Sequence, residues 1–189
     1  MNNPFKAFRI RLFLRLFLPL LLPLLALLFI APLFAGCGGA GAGTSSTGAR
    51  KAPDFSVQTI LGSHLTSGDV KGKPIVLNFG ASWCGPCNEE APMLAAMYNR
   101  YKDRVTFVGM AVKDKPDDQR AFAQKYGLAY TIGLDPKGDN LYNYQQAAIV
   151  PYSGIPTTFF IDAKGDIVSF YIGPMSQSEF EQKLSGILN

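Results

Sequence analysis

The chain has 189 residues, 48% of them apolar, which is enough for one domain with its own core plus appendages. Its net charge of +4 arises near the N-terminus, where Lys6, Arg9, Arg11 and Arg15 are the first four basic residues and no acid precedes Asp54. Setting those four aside leaves 18 − 4 = 14 bases against 14 acids, so the rest of the chain lacks the basic surplus that nucleic-acid binding needs.

The four early charges precede an almost wholly apolar run from Leu16 to Phe34, LFLPLLLPLLALLFIAPLF, which reads as an export signal. The run is about long enough to span a bilayer, and membrane helices tolerate prolines such as Pro19, Pro23 and Pro32. It ends in Leu33-Phe34-Ala35-Gly36-Cys37, which resembles the lipobox of bacterial lipoproteins, with Phe34 where leucine is usual. That resemblance implies removal of residues 1–36 and a lipid on Cys37 that anchors the protein to a membrane. An uncleaved membrane helix and plain secretion are the alternatives, and all three place residues 51 to 189 outside the cytoplasm. Residues 37–51 follow, with only Gly, Ala, Ser and Thr between Cys37 and Arg50. Such a stretch buries no core and is expected to be a flexible tether, about 20 Å long on average.

The domain is expected to cover residues 52–189. Phe55 to Ile60 alternates as a half-buried strand, with a turn at Gly62-Ser63 and His64 beside it. Ile75 to Phe79 suits a central buried strand, and a helix follows, with Met93, Leu94, Met97, Tyr98 and Tyr101 on one face and Pro92 disturbing its early turns. Val105 to Val112 is a second buried strand; Pro116 to Tyr126 is a helix with Gly127 as its stop. A short strand covers Tyr130 to Leu134, and a helical turn Leu141 to Gln146. Thr157 to Asp162 and Ile167 to Ile172 make two strands around Ala163-Lys164-Gly165. Ser176 to Leu188 closes the chain as a helix, with Ser176 and Glu179 spaced as a capping box. The pattern predicts an α/β domain, a central sheet flanked by helices on both faces.

The chemistry concentrates in SWCGPCNEE, residues 82 to 90. Apart from Cys37 the chain has only Cys84 and Cys87, and its single histidine, His64, is read as a solvated turn residue. Two cysteines do not fill a four-ligand zinc site, so no metal is expected. A disulfide across two intervening residues constrains the unfolded chain little and is a poor staple. Redox chemistry has a mechanism instead. Cys84 falls where a helix begins, and the unpaired N–H groups and dipole there favour thiolate over thiol. Gly85-Pro86 suits the first turn, and Cys87, one turn in, is placed to attack the Cys84 sulfur once a mixed disulfide has formed. Cys84 is therefore read as the nucleophile and Cys87 as the resolving thiol, with Trp83 covering the approach. No cofactor is expected beyond the redox-active disulfide itself.

These residues resemble the thioredoxin superfamily: Trp83-Cys84-Gly85-Pro86-Cys87 matches its redox motif, and Gly154-Ile155-Pro156-Thr157 its cis-proline loop. The resemblance implies a thioredoxin-like fold, with a central mixed β-sheet and, here, an N-terminal β-hairpin extension. It implies that Pro156 is cis and that the Ile155 backbone pairs with a substrate chain as an added strand. Trp83, Gly85 and Pro86 on one side, and Ile155, Pro156 and Thr157 on the other, would then meet the substrate. Three further stretches narrow the likeness: Ala52-Pro53-Asp54-Phe55, the motif extending through Glu90 to Pro92, and Pro156 through Asp162. Together they resemble extracytoplasmic thiol-disulfide oxidoreductases of the TlpA/ResA type, which share the AhpC/TSA–redoxin type of domain, over about residues 52 to 188. In cytosolic thioredoxins a buried aspartate occupies the position of Asn78; in the TlpA/ResA type the proton-handling acid corresponds to Glu90. Three residues beyond Cys87, Glu90 is on the same side of the helix as that thiol. Gly80 stands where an aromatic residue is usual.

The sequence thus predicts a membrane-tethered disulfide reductase, a monomer acting on disulfides of exported proteins. The Gly-Pro pair is shared with thioredoxin, at about −270 mV, far below strong oxidants at about −120 mV. Family analogy implies apocytochrome c as a substrate during cytochrome c maturation, and a membrane thiol donor as the source of electrons. A peroxiredoxin-like peroxidase is one alternative, although Ala81 stands where that chemistry needs Thr or Ser. A non-catalytic binding module on the same scaffold is the other.

Overall fold

The computed structural model describes residues 50–188 apart from Tyr152. The expected export signal, the expected lipobox with Cys37 and most of the expected tether lie outside the described residues.

Six strands form one mixed sheet. Strands β1 (Arg50–Lys51), β4 (Ile75–Gly80), β5 (Thr106–Val112), β6 (Thr131–Asp135), β7 (Thr157–Ile161) and β8 (Asp166–Ile172) lie in the order β1-β8-β7-β4-β5-β6. Strands β4, β5 and β6 are parallel; β7 runs antiparallel to β4, and β8 antiparallel to β7. Among the described residues four α-helices accompany them: α1 (Gly85–Tyr101), α2 (Pro116–Tyr126), α3 (Asp139–Ala148) and α4 (Gln177–Ser185). A separate hairpin, β2 (Ser56–Gln58) with β3 (His64–Thr66), precedes the main sheet.

The central position of β4 follows from its sequence. Val76, Leu77 and Phe79 are fully buried, as expected for a strand covered on both faces. Alternation then divides the core in two. Val76 and Phe160 turn towards Leu94 of α1 and Phe180 and Leu184 of α4. Leu77, Phe79 and Phe159 turn the other way, towards Leu141 and Tyr144 of α3 and Val57 of the hairpin. Phe79 meets Phe159 edge-on at 5.8 Å, and burying each such ring contributes about 1.5–3 kcal/mol.

Several boundaries differ from the sequence reading. Arg50 and Lys51, assigned to the tether, pair with Ile167 and Asp166 of β8. His64 is not in a turn: it opens β3, exposed, with Nε2 3.1 Å from Ser56 Oγ. The first predicted strand shortens to three residues because only Ser56 to Gln58 pair in the hairpin, while Thr59 bridges singly to Gly133. Gly133 is required there, since a β-carbon would stand 2.5 Å from Val57 Cγ2. The turn predicted over Leu141 to Gln146 is a full helix of 10 residues, and Pro92 lies inside α1 without ending it. The last helix stops at Ser185, although Ile187 beyond it is still buried.

Topology fixes where chemistry happens. Parallel strands β4 and β5 need a crossover, and α1 provides it, so the helix starts just beyond the C-terminal end of β4. Antiparallel pairing sets Phe79 opposite Thr157, which brings the start of β7 to the same end. Two segments about seventy residues apart in sequence therefore face each other across one rim of the sheet.

Candidate active site

Cys84 is the N-cap of α1, with extended backbone, and its Sγ accepts a hydrogen bond of 3.2 Å from the Cys87 N–H. Pro86 lies in the first turn, where the missing N–H has no partner to lose. Cys84 and Cys87 form a disulfide, and both are buried. A sulfur at this cap receives one of the unpaired N–H groups of the helix start, which favours its charged form once the bond is reduced.

The loop before β7 closes the other side. The Ile155–Pro156 peptide is cis, and the Ile155 carbonyl oxygen lies 3.6 Å from Cys84 Sγ. Two side chains hold this loop. Thr157 Oγ1 donates to the Gly154 carbonyl at 2.8 Å, and fully buried Gln145 of α3 donates from Nε2 to the Ser153 carbonyl at 2.8 Å. Ile155 remains half-buried and Pro156 is buried. Gly85 and Pro86 are exposed on the facing side.

The segment leading into Cys84 is clamped by residues that sequence reasoning did not single out. Asp114, in the loop after β5, accepts the Ser82 N–H at 2.6 Å and the Ser82 hydroxyl at 3.0 Å. Asn88 Nδ2 donates to the carbonyls of Ser82 and Cys84, and the Tyr126 hydroxyl donates to Asn88 Oδ1. Asn88 alone carried a local signal, one helical turn beyond Cys84; the others come from distant elements. Trp83 is 62% exposed and donates from Nε1 to the Lys113 carbonyl, so it stands beside the disulfide as an open aromatic face.

Glu89 and Glu90 part company in the structure. Glu89 is exposed, whereas Glu90 is 2% exposed. Glu90 Oε1 accepts the Met175 N–H at 3.1 Å, and Oε2 accepts from Asn78 Nδ2 at 3.2 Å. Burial pushes its carboxyl up to about 7, against those two hydrogen bonds, which pull downward. Asn78 also donates to Thr158 Oγ1 at 2.9 Å, so one amide ties β4, α1 and β7 together. Asn78 thus orients the buried acid from the position where the sequence reading noted only a missing aspartate.

Dithiol–disulfide exchange is the chemistry this arrangement supports: one sulfur at a helix cap, a second one turn deeper, and a carboxyl that titrates near neutrality three residues on. Against known proteins, residues 49–170 match the AhpC/TSA family. The chain is 40% identical over 139 residues to a thioredoxin-like protein, YneN, of Bacillus subtilis, covering 71% of this chain and 77% of that one. It is 31% identical over 137 residues to the thiol-disulfide oxidoreductase ResA of Geobacillus kaustophilus, covering 72% and 75%. Its structure is similar to the crystal structure of a secreted Mycobacterium tuberculosis disulfide oxidoreductase homologous to E. coli DsbE. That likeness has a TM-score of 0.60 and 31% identity, and covers 69% of this chain and 94% of that one.

Proposed function

The chain belongs to the AhpC/TSA family and is a thiol-disulfide oxidoreductase; we propose that it is a membrane-tethered, extracytoplasmic reductase of disulfides in exported proteins. The observation that carries the reading is the Cys84 sulfur at the cap of α1, facing the Ile155 carbonyl across the rim.

The reaction runs as follows. In the reduced protein the Cys84 thiolate attacks one sulfur of a substrate disulfide lying along Ile155, and the other substrate sulfur leaves as a thiolate. Cys87 then attacks Cys84 Sγ, re-forming the internal disulfide and releasing the second substrate sulfur. Two electrons pass from the protein to the substrate, and the two leaving thiolates take up protons. Glu90 removes the proton from Cys87 before its attack, a role suited to a carboxyl near 7. A membrane thiol donor returns the two electrons. Trp83, Gly85 and Pro86 line the substrate's path on one side, and Ile155, Pro156 and Thr157 on the other.

The location rests on the export signal, and on the relative of known structure being described as secreted. A lipid on Cys37 is the proposed anchor; no helix among the described residues is long and apolar enough to cross a membrane. Reduction of apocytochrome c cysteines is the proposed specific task, by analogy with the TlpA/ResA type. The peroxidase reading gains nothing from the structure: Ala81, buried beside the cysteines, has no hydroxyl to orient a peroxide.

Trapping tests the proposal. Cys87→Ser, expressed as the full chain in its host, should hold partners through Cys84 as mixed disulfides that dithiothreitol releases. Recovery of apocytochromes supports the maturation role, and a broad set of exported proteins supports a general reductase. Failure of the wild type to reduce insulin, together with no trapped partner, would sink the reading.

A further inference from the structure

Gly80 ends β4 with no side chain, and the structure shows what that leaves. A small cavity beside Cys87, with about 20 Å³ open to the centre of a water molecule, is lined by Asn78, Gly80, Cys87, Met110, Gln119 and Phe122 among others. One water needs about 10–15 Å³ by that measure, and two to four polar partners. Polar partners are present. Gln119 of α2 is 5% exposed, and its Oε1 is buried without a hydrogen-bond partner. A buried amide oxygen left so is unfavourable, and a donor at this point relieves it.

Two more atoms converge there. A β-carbon on Gly80 would stand 3.4 Å from Asn78 Oδ1 and 3.6 Å from Cys87 Sγ. Both hydrogens of the Asn78 amide are engaged, by Glu90 and by Thr158, so its oxygen is the atom turned towards Gly80. Those contacts are ordinary van der Waals distances, and Gly80 has no positive φ. Neither crowding nor backbone conformation therefore requires glycine here; its consequence is the space.

We propose that this cavity binds one water molecule, which donates its two hydrogens to Gln119 Oε1 and Asn78 Oδ1 and swings the second from Asn78 Oδ1 to Cys87 Sγ when that sulfur becomes a thiolate. The remaining wall is largely apolar, so this water is the thiolate's solvent. Gln119 and Gly80 are accordingly positioning residues for the resolving step, one anchoring the water and the other leaving it room. Other ionisable groups nearby are Tyr130, in the cavity wall, and Glu90, behind Asn78. Burial raises the Tyr130 phenol further above its usual range, so it stays neutral.

The catalytic consequence rests on the resolving role proposed for Cys87, but the water is tested without it. In the full chain carrying Cys84→Ser, alkylation of Cys87 is followed against pH by peptide mass spectrometry, which separates it from Cys37. Gly80→Ala fills the space, and Gln119→Leu removes the anchor; folding of both is checked by circular dichroism. Each should move the midpoint upward, with about a tenfold fall in alkylation rate below it, one unit of pKa. A midpoint unmoved or lowered in either folded variant overturns the proposal. Density for a water within hydrogen-bond reach of Gln119 Oε1 in a high-resolution crystal structure supports it; a dry site there also overturns it. A wild type that fails to reduce insulin would sink the reductase reading and leave the alkylation profile intact.

Discussion

Cys84 and Cys87 share a bond but not an environment. Cys84 sits on the rim at a helix cap, with an N–H aimed at its sulfur and the Ile155 carbonyl facing it. Cys87 sits one turn inward, against Ala81 and the cavity beside Gly80, with a buried acid three residues on. Backbone dipoles thus serve the outer sulfur, while side chains from β4, α1 and α2 serve the inner one. The difference teaches that a Cys-x-x-Cys motif is two sites: the helix start suffices for attack, whereas resolution depends on residues far from it in sequence. The largest expected effect tests that division. Cys84→Ser should abolish insulin reduction, while Cys87→Ser should retain the first attack and accumulate mixed disulfide, resolved on a non-reducing gel. Equal loss of both steps would erase the distinction.

Glu90 sharpens the inner site next. Its carboxyl is raised from 4.5 to about 7 in the fold, chiefly by burial. Between those values the folded protein keeps a proton that the unfolded chain has released, so stability falls as pH rises through the window and levels off above it. Glu90→Gln keeps an oxygen for the Met175 N–H and removes the titration. Urea denaturation should find the variant pH-independent across the window, while wild type loses on the order of 3 kcal/mol relative to it between the bottom of the window and the top. Activity should move the other way. General-base contributions run to about a hundredfold or more, so the resolving step should slow by that order and lose its limb near pH 7. Glu89→Gln, one residue away and exposed, should change neither.

How much of this was legible depends on how local each signal was. The buried run Ile75 to Phe79, the cysteine pair at a helix start, and the capping box of Ser176 and Glu179 each carry their cause within a few residues. The cis bond at Pro156 came only through resemblance, because no local rule selects one proline among 13. His64 was misplaced because a three-residue strand has too short a period to read, and its pairing with Gln58 is what defines it. Asp114, Gln145 and Gln119 left no trace in the sequence. Each acts on a partner brought near by the sheet, Asp114 on Ser82 from 32 positions away, and polar residues in such loops and helices ordinarily face water.

Asp114 offers the intermediate effect, on the outer side of the comparison. It fixes Ser82 through both the backbone N–H and the hydroxyl, and so fixes the approach to Cys84. Asp114→Ala leaves those donors without their acceptor, at a cost of about 1–3 kcal/mol, read as a lower urea midpoint. The kcat for insulin should fall several-fold, while the pH limb assigned to Glu90 stays in place, since that limb belongs to the inner site.

Trp83 gives the smallest change in stability and separates binding from chemistry on the rim. Its ring is 62% exposed and its one hydrogen bond, to the Lys113 carbonyl, is made at the surface, so Trp83→Ala should change the unfolding free energy from urea denaturation by less than about 0.5 kcal/mol. An exposed aromatic face beside a reactive sulfur suits contact with a polypeptide, and such contacts often dominate binding. The variant should therefore raise KM for a protein disulfide several-fold, with kcat and the Cys84 alkylation profile unchanged. A small disulfide such as oxidised glutathione, too short to reach Trp83 while engaged at Cys84, should be reduced as before. Equal losses for both substrates would move Trp83 from the binding surface into the machinery that shapes the Cys84 thiolate, and would narrow the outer site to the helix cap and what Trp83 adds to it.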